Sequence, residues 1–136
     1  MTNWAAIGDR ARNVAPLIAR VGLALVFLYF GFSQLRDPTS FLGWLPAEVS
    51  LLPISPTTFV LLNGAVEVFF GTLLLLGIYT RLSAALLGLH LLGIAVSMGF
   101  TQTGVRDAGL SIATIAIALY GPDKYGLDWR FQKTLS

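Results

Sequence analysis

Four long apolar stretches constrain what this chain can fold into. Each is close to the roughly 20 residues with which an α-helix crosses about 30 Å of bilayer hydrocarbon. We expect transmembrane helices over about residues 17–35, 57–78, 82–100 and 107–121. The composition agrees, because 55% of the 136 residues are hydrophobic and only 12% are charged. The sequence therefore predicts one all-α transmembrane domain over residues 1–136, an integral membrane four-helix bundle in a lipid bilayer.

The lysines and arginines predict how these helices are oriented. In a chain that crosses four times, Arg36 and Arg106 fall on one side, and the other seven basic residues fall on the opposite side. Because cytoplasmic loops carry the excess of Lys and Arg, we expect both termini to be cytoplasmic. Gly31-Phe32-Ser33 resembles a signal-peptide cleavage site. The first apolar stretch is longer than a usual signal core, however, and we expect it to be retained.

The connection between the first two helices, residues 36–56, is unusually apolar for a loop. Its prolines prevent one continuous helix, and they stand at positions 38, 46, 53 and 56. We expect a short amphipathic helix from about Pro38 to Leu45 that lies in the outer membrane interface. This helix is either a lipid-facing anchor or a lid, with Trp44 as its contact residue, over a cavity between the helices.

Polar residues from different helices fall at one predicted depth in the membrane. Counted from the cytoplasmic ends of their helices, Gln34, Glu67 and Asp107 each lie 14 residues into the membrane. This corresponds to about 21 Å at 1.5 Å per residue. Arg106 adjoins that layer, and Asn63 lies one helical turn from Glu67 on the same face. A charged group at such depth is costly, so an ionisable residue there is a candidate functional site by default.

A weak internal repeat adds two residues to this candidate site. Residues 19–25 align without gaps with residues 80–86, and the same alignment places Tyr29 opposite His90. The repeat suggests two parallel helical hairpins, as in some transporters. Both side chains are expected about 13 to 14 Å above the start of their spans, near half the depth of the bilayer.

The charges of this cluster do not balance. Arg106 supplies one positive charge near two acids, Glu67 and Asp107, so one proton is missing if all three groups are ionised. We expect Arg106 to neutralise Glu67, and the missing proton to reside either on Glu67 or on His90. The alternative is structural, with Arg106 and the acids as an interhelical staple and His90 as a hydrogen-bonded core residue.

The residue types exclude several kinds of chemistry. With no cysteine and one histidine, the chain cannot supply a disulfide relay, iron–sulfur thiolates or the paired imidazoles of a membrane b-type haem. Glu, Asp and His on separate helices lack the local spacing of a metal site, and we expect no metal. The net charge of +2 comes from dispersed residues, which excludes nucleic acid as a partner.

Several short runs resemble the DoxX family of small four-helix membrane proteins. They are Gly31-Phe32-Ser33-Gln34-Leu35, Asn63-Gly64-Ala65-Val66-Glu67-Val68, Leu76-Gly77-Ile78-Tyr79-Thr80-Arg81, Gly104-Val105-Arg106-Asp107-Ala108-Gly109 and Gly121-Pro122-Asp123 with Leu127-Asp128. The resemblance implies a bacterial inner membrane protein related to the membrane subunit of an archaeal thiosulfate:quinone oxidoreductase. The family supplies no catalytic residue to carry over. Gln34 stands where many relatives have a lysine, which argues against a cation-dependent anion site at that position.

These observations lead to three functional hypotheses. In the first, the chain is a membrane subunit of a quinone-linked oxidoreductase, and a protein partner delivers the electrons. Its candidate catalytic residues are Glu67, His90 and Asp107, and its candidate quinone contacts are Tyr29, Gln34, Trp44, Asn63 and Arg106. In the second, the cavity binds or transports a small amphiphile or anion. In the third, the chain is a structural or assembly subunit that docks onto a protein partner or forms a homo-oligomer.

Overall fold

The structure, a computed structural model, describes residues 3–134 of the chain. The bundle consists of four long helices: α1 (Trp4–Arg36), α2 (Pro56–Leu76), α3 (Thr80–Met98) and α4 (Gln102–Tyr120). The remaining elements are a short helix, α5 (Leu127–Thr134), and two 3₁₀ helices between α1 and α2, Pro38–Trp44 and Ala47–Leu51. No strand occurs within residues 3–134, so the predicted all-α class is confirmed.

Three of these helices, α1, α2 and α3, are long and apolar enough to cross a membrane. Like α3, α4 has 19 residues, but Arg106 and Asp107 lower the hydropathy of its first turns. The outward faces of the bundle carry large apolar side chains, including Phe32, Phe69 and Leu89, each more than half exposed. Such faces require contact with lipid, so the protein is an integral membrane helical bundle.

The helix ends follow capping rather than hydropathy, and for this reason they differ from the predicted spans. α1 begins 13 residues before the predicted start at residue 17. There, the side chain of Asn3 accepts a hydrogen bond from the backbone N–H of Ala6 (3.3 Å). α4 begins at residue 102 rather than at 107, because the hydroxyl of Thr101 accepts from the backbone N–H of Gly104 (3.0 Å). A capped helix can thus extend past charged residues at which hydropathy places its end.

The long helices form two hairpins, α1 with α2 and α3 with α4. Within each hairpin, the two helices are antiparallel. In the first hairpin, Gly31 and Gly64 face each other so closely that a Cβ atom on either would lie 2.9 Å from the carbonyl oxygen of the other. In the second, the hydroxyl of Ser111 donates to the carbonyl of Gly88 (2.7 Å). Small residues at both crossings allow the close backbone approach on which packing between membrane helices depends.

An arginine closes each hairpin at the same end of the bundle. Arg20 of α1 donates to the carbonyl of Leu74 near the end of α2 (2.8 Å). In the same way, Arg81 of α3 donates to the carbonyl of Ala118 near the end of α4 (3.2 Å). This correspondence agrees with the two parallel hairpins that the internal repeat suggests. We call this end of the bundle the arginine end, and the opposite end, which carries residues 37–55, the connection end.

At the arginine end, a buried ion pair ties the segment after α4 to α1. Nε of Arg20 donates to Oδ2 of Asp123, and the two side chains are only 3% and 1% exposed. Burial raises the pKa of Asp123, but hydrogen bonds from Arg20 and from the backbone N–H of Tyr125 outweigh this effect and hold the pKa below its usual value. The carboxylate therefore stays ionised at neutral pH, opposite a buried cation.

A second carboxylate of the same segment caps α3. The backbone N–H groups of Tyr79 and Thr80 donate to Oδ1 and Oδ2 of Asp128 at 2.9 and 2.7 Å. Tyr79 precedes α3 in a left-handed conformation, with φ of 48°, and its own side chain forms no cap hydrogen bond. Asp128 thus supplies from a distant segment the acceptor that the start of α3 lacks.

Replacing Asp128 with alanine is expected to destabilise the fold by about 0.5–2 kcal/mol, because the two N–H groups at the start of α3 lose their acceptor. The free energy of unfolding, measured by titration with sodium dodecyl sulfate in mixed micelles, tests this. Asp9→Ala is the matched control, since Asp9 forms an exposed 3.8 Å ion pair with Arg12. Its expected effect is below about 1 kcal/mol. Equal losses in the two variants would contradict the capping role.

Candidate functional site

A cavity of about 550 Å³ lies between the two hairpins at the connection end. This volume is within the roughly 300–1,000 Å³ typical of small-molecule sites. The wall is mostly apolar, and its aromatic members are Phe27, Phe30, Phe41, Trp44 and Phe59. Its polar members come from all four long helices and are Gln34, Asn63, Glu67, His90, Ser97, Thr103, Arg106 and Asp107. Seven of the eight predicted site residues therefore line one cavity.

A closed hydrogen-bond network holds Glu67 in the wall of this cavity. Nε2 of Gln34 donates to Oε2 of Glu67 (3.0 Å), and Nδ2 of Asn63 donates to Oε1 of Glu67 (3.1 Å). Nδ2 of Asn63 also donates to Oε1 of Gln34 (2.7 Å). The carboxyl group is buried, with Glu67 only 4% exposed, and both of its oxygens accept from amides. We call these three side chains the amide–carboxylate network.

Helix geometry assembles the amide–carboxylate network. Asn63 and Glu67 are four residues apart on α2, which places both side chains on one face. Gln34 belongs to α1 and reaches the same point because Gly31 and Gly64 let the two backbones approach closely. The predicted convergence of an amide from the first helix with a carboxyl from the second is therefore present in the structure.

The expectation that Arg106 neutralises Glu67 is wrong. Nε of Arg106 donates instead to Oδ1 of Asp107 (2.8 Å), and its guanidinium lies 5.6 Å from the centre of the Phe30 ring. The Arg106 side chain is 52% exposed, whereas that of Asp107 is 10% exposed. Because Arg106 lies at the rim, its side chain folds onto its neighbour and an aromatic ring, and does not cross the cavity. The hydrogen-bond partners of Glu67 are neutral amides.

Of the two residues that the internal repeat aligns, His90 lines the cavity and Tyr29 does not. His90 lines the cavity from α3, and its Nε2 is buried without a hydrogen-bond partner among residues 3–134. Tyr29 is 69% exposed and packs edge to face on Phe30, with ring centres 5.4 Å apart, outside the cavity wall. The inward face of α1 is defined by Phe27 and Gln34. Tyr29 is turned about 200° from Phe27 at 100° per residue, so it faces lipid.

The connection end covers the cavity with its first 3₁₀ helix. Trp44, at the end of this helix, lines the cavity together with Phe41 and remains 61% exposed. The predicted short helix over residues 38–45 is thus present, with 3₁₀ rather than α geometry. Side-chain hydroxyls of Thr39 and Ser40 donate to the carboxylate of Asp37 at its start. These short-range bonds and the prolines favour a tight turn over a regular α-helix.

Sequence reasoning missed several residues of the wall. Phe59 is one, and a spacing of four along α2 identifies it, because it lies one turn before Asn63 and two turns before Glu67. Phe30 and Thr103 are others. Thr103 lies outside the predicted fourth span, which begins at residue 107.

The cavity is closed toward the arginine end by apolar packing. Its floor is a cluster of buried residues: Leu23, Ala24, Phe27, Leu74, Ala84, Leu87, Leu91 and Ile117. Hydroxyl groups at this depth donate to backbone carbonyls, as Ser111 does to Gly88 and Thr114 does to Leu110. This packing separates the cavity from the arginine end.

The arrangement can bind an amphiphilic molecule and hold a proton. The mostly apolar wall suits a ring or an alkyl chain, while Glu67 and Nε2 of His90 provide places for a proton or a hydrogen bond. Within residues 3–134, no three His, Asp or Glu side chains gather in a way that would hold a metal ion.

Comparison with known proteins agrees with this architecture. The chain is 29% identical over 132 residues to the inner membrane protein YphA of Escherichia coli, and the match covers 88% of this chain and 92% of the relative. It is also 29% identical over 132 residues to the uncharacterised membrane protein Rv3486 of Mycobacterium tuberculosis, with 84% and 79% covered. No solved structure matches. The DoxX profile matches residues 15–100, more than half of the chain and all of α2 and α3, and the protein therefore belongs to the DoxX family.

Proposed function

We propose that this protein is a membrane subunit of a quinone-linked oxidoreductase, and that the cavity at its connection end binds the quinone head group. One observation carries the proposal: a mostly apolar cavity presents a buried acid, Glu67, that two neutral amides hold in place. An amphiphilic ring that exchanges protons needs both an apolar wall and a positioned acid.

The residues of the cavity fit a quinone. Phe41 and Phe59 offer flat apolar surfaces against which a head-group ring can pack. The hydroxyl of Thr103 belongs to the same wall and can donate a hydrogen bond to a quinone carbonyl oxygen. Protonated Glu67 can donate as well. These two hydrogen-bond donors belong to α2 and α4 and line one space.

The residues of this chain hold the proton and fix the orientation of the carboxyl group that carries it. A bound quinone supplies the exchange of electrons and protons, and electrons reach it from a partner because the chain has no cysteine and one histidine. Glu67 holds a proton at its carboxyl group, and Gln34 and Asn63 fix the orientation of that group. Nε2 of His90, which is buried without a partner within residues 3–134, can form a hydrogen bond with the bound head group. The apolar floor keeps this exchange separate from the arginine end.

We place the protein in an inner membrane with both termini in the cytoplasm. The name of the Escherichia coli relative supports the compartment. The distribution of lysines and arginines supports the orientation, since seven of the nine fall on the side that also contains the two termini. In this orientation, the cavity and the connection end face the outer side of the membrane.

Fluorescence quenching by a short-chain quinone tests the proposal. Of the three tryptophans, Trp44 lines the cavity, whereas Trp4 and Trp129 lie outside its wall. In micelles, we expect the tryptophan fluorescence of the wild-type protein to be quenched in two ways. Quinone dissolved in the micelle quenches in proportion to its concentration, and quinone bound in the cavity adds a component that saturates. Trp44→Phe should abolish the saturable component, and Trp129→Phe should retain it. Glu67→Gln should weaken the apparent affinity by roughly tenfold or more, since a hydrogen bond to an ionisable group is lost.

Two results would count against quinone binding. The first is quenching without saturation, or saturation that persists in Trp44→Phe, because either places the quinone outside the cavity. The second is the absence of ubiquinone and menaquinone from organic extracts of freshly purified protein, assayed by mass spectrometry. Protein of the Glu67→Gln variant extracted in parallel provides the control for quinone carried along with lipid.

A further inference from the structure

The cavity wall contains an uncompensated acid. Three residues in the wall carry formal charges at neutral pH: Glu67, Arg106 and Asp107. The charge of Arg106 is matched by Asp107 at 2.8 Å. Glu67 receives hydrogen bonds from Gln34 and Asn63, which carry no charge. An ionised Glu67 therefore leaves the cavity with one net negative charge.

The neighbouring histidine is poorly placed to supply the missing charge. Nε2 of His90 is buried and has no hydrogen-bond acceptor within residues 3–134, so a proton on that atom would lack a partner. A charge of minus one in a mostly apolar cavity is costly. The balance is restored when Glu67 takes up a proton or when a monovalent cation enters the cavity.

The rest of the wall favours an organic cation over a hydrated inorganic ion. The wall is mostly apolar, and the faces of aromatic rings attract cations. Phe30 already contacts the guanidinium of Arg106 in this way at 5.6 Å. The other aromatic members, which include Phe41, Trp44 and Phe59, line the same space. The volume of about 550 Å³ accommodates apolar groups around a central charge.

We propose that the cavity binds a lipophilic monovalent cation in exchange for a proton on Glu67. One proton leaves the carboxylic acid for water as one cation enters, so the net charge of the occupied cavity is the same before and after the exchange. The proposal does not rest on quinone binding. A neutral quinone pairs with protonated Glu67, whereas a cation pairs with ionised Glu67, so the two ligands compete for the cavity in opposite protonation states.

A pair of probes of the same shape and opposite charge tests this. Tetraphenylphosphonium and tetraphenylborate are titrated calorimetrically into the full chain in neutral detergent micelles, with empty micelles as the reference. We expect saturable binding of tetraphenylphosphonium and none of tetraphenylborate. Titrations in buffers of different ionisation enthalpy should show release of about one proton per bound cation. The apparent affinity should weaken by up to about tenfold per pH unit in the acidic range where the proton occupies Glu67.

Three variants test which residues are responsible for cation binding and proton release. Glu67→Gln should abolish both tetraphenylphosphonium binding and proton release. Glu48→Gln, in the exposed part of the connection and outside the cavity wall, is the matched control and should behave as wild type. Asp107→Asn frees the charge of Arg106, and we expect tetraphenylphosphonium to bind at least about tenfold more weakly, while binding of tetraphenylborate becomes measurable.

The results separate this inference from the proposed function. Equal binding of both probes, or tetraphenylphosphonium binding that survives Glu67→Gln in folded protein, would overturn cation exchange. If Glu67→Gln does not fold, unchanged selectivity in Asp107→Asn overturns it instead. If quinone does not quench Trp44 saturably in the wild-type protein but cation exchange is observed, quinone binding is refuted and cation exchange is not.

Discussion

Replacing Arg20 with alanine is expected to destabilise the protein by about 3–5 kcal/mol, the largest loss we expect for a single substitution in this chain. The substitution leaves Asp123 buried without its cation, since the two side chains are 3% and 1% exposed in their pair. It also removes the guanidinium hydrogen bonds to the carbonyls of Leu74 and Leu75 at the end of α2. The free energy of unfolding in mixed micelles measures this loss directly.

Arg12→Ala provides the control for Arg20→Ala on the same helix. Arg12 pairs with Asp9 at 3.8 Å, but these side chains are 86% and 74% exposed, so its expected effect is about 0–1 kcal/mol. A second variant, Arg20→Met, removes the charge and retains the length of the side chain. We expect it to be nearly as unstable as Arg20→Ala, because the charge of Asp123 stays uncompensated. Stability close to wild type in Arg20→Met would show that packing, rather than the ion pair, holds this end together.

The same pair predicts how stability depends on pH. The pKa of Asp123 in the folded protein lies below its usual value of 3.8, because the hydrogen bond from Arg20 and the backbone bonds outweigh the effect of burial. The contribution of the pair is therefore present at neutral pH and is lost as the pH falls from about 4 through the folded-state pKa. The difference in stability between wild type and Asp123→Asn should stay constant from about pH 5 to 7 and decrease in more acidic solution. A difference that grows in acid would contradict this sign.

The sequence predicts the contacts that regular helix geometry determines. The rise per residue fixes depth, and a spacing of four fixes a common face, so the sequence predicts that Gln34, Asn63 and Glu67 converge. Depth alone does not specify rotation about the helix axis. Tyr29 has the right depth and nevertheless faces lipid, while His90 on α3 lines the cavity.

Contacts that depend on side-chain reach or on distant segments lie beyond such reasoning. Arg106 has the depth and charge to neutralise Glu67, but its flexible side chain lies at the rim and binds the adjacent Asp107. The partner of Arg20 is 103 residues away, in a segment whose path after α4 has no regular period from which to predict it. The sequence thus predicts the polar half of the cavity better than the ion pair at the arginine end.

The close approach of α1 and α2 couples stability to the candidate site, and Gly31→Ala is expected to disturb both. An added Cβ atom would lie 2.8 Å from Cγ2 of Val68, 2.9 Å from the carbonyl oxygen of Gly64 and 3.0 Å from Cβ of Glu67. The helices must therefore separate, at a cost of about 1–3 kcal/mol. This separation also lengthens the hydrogen bond from Gln34 to Glu67, now 3.0 Å.

Gly22→Ala on the same helix is the matched control for Gly31→Ala. A Cβ atom at Gly22 meets nothing within 4 Å, so the substitution should stabilise α1 by about 0.5–1 kcal/mol through its higher helix propensity. Ligand binding distinguishes a general loss of stability from a change in the site. In folded protein, Gly31→Ala should weaken tetraphenylphosphonium binding by roughly tenfold, because the carboxyl group of Glu67 loses its fixed orientation. Binding equal to wild type, together with reduced stability, would mean that the amide–carboxylate network tolerates separation of the helices and that Gln34 is not needed to position Glu67.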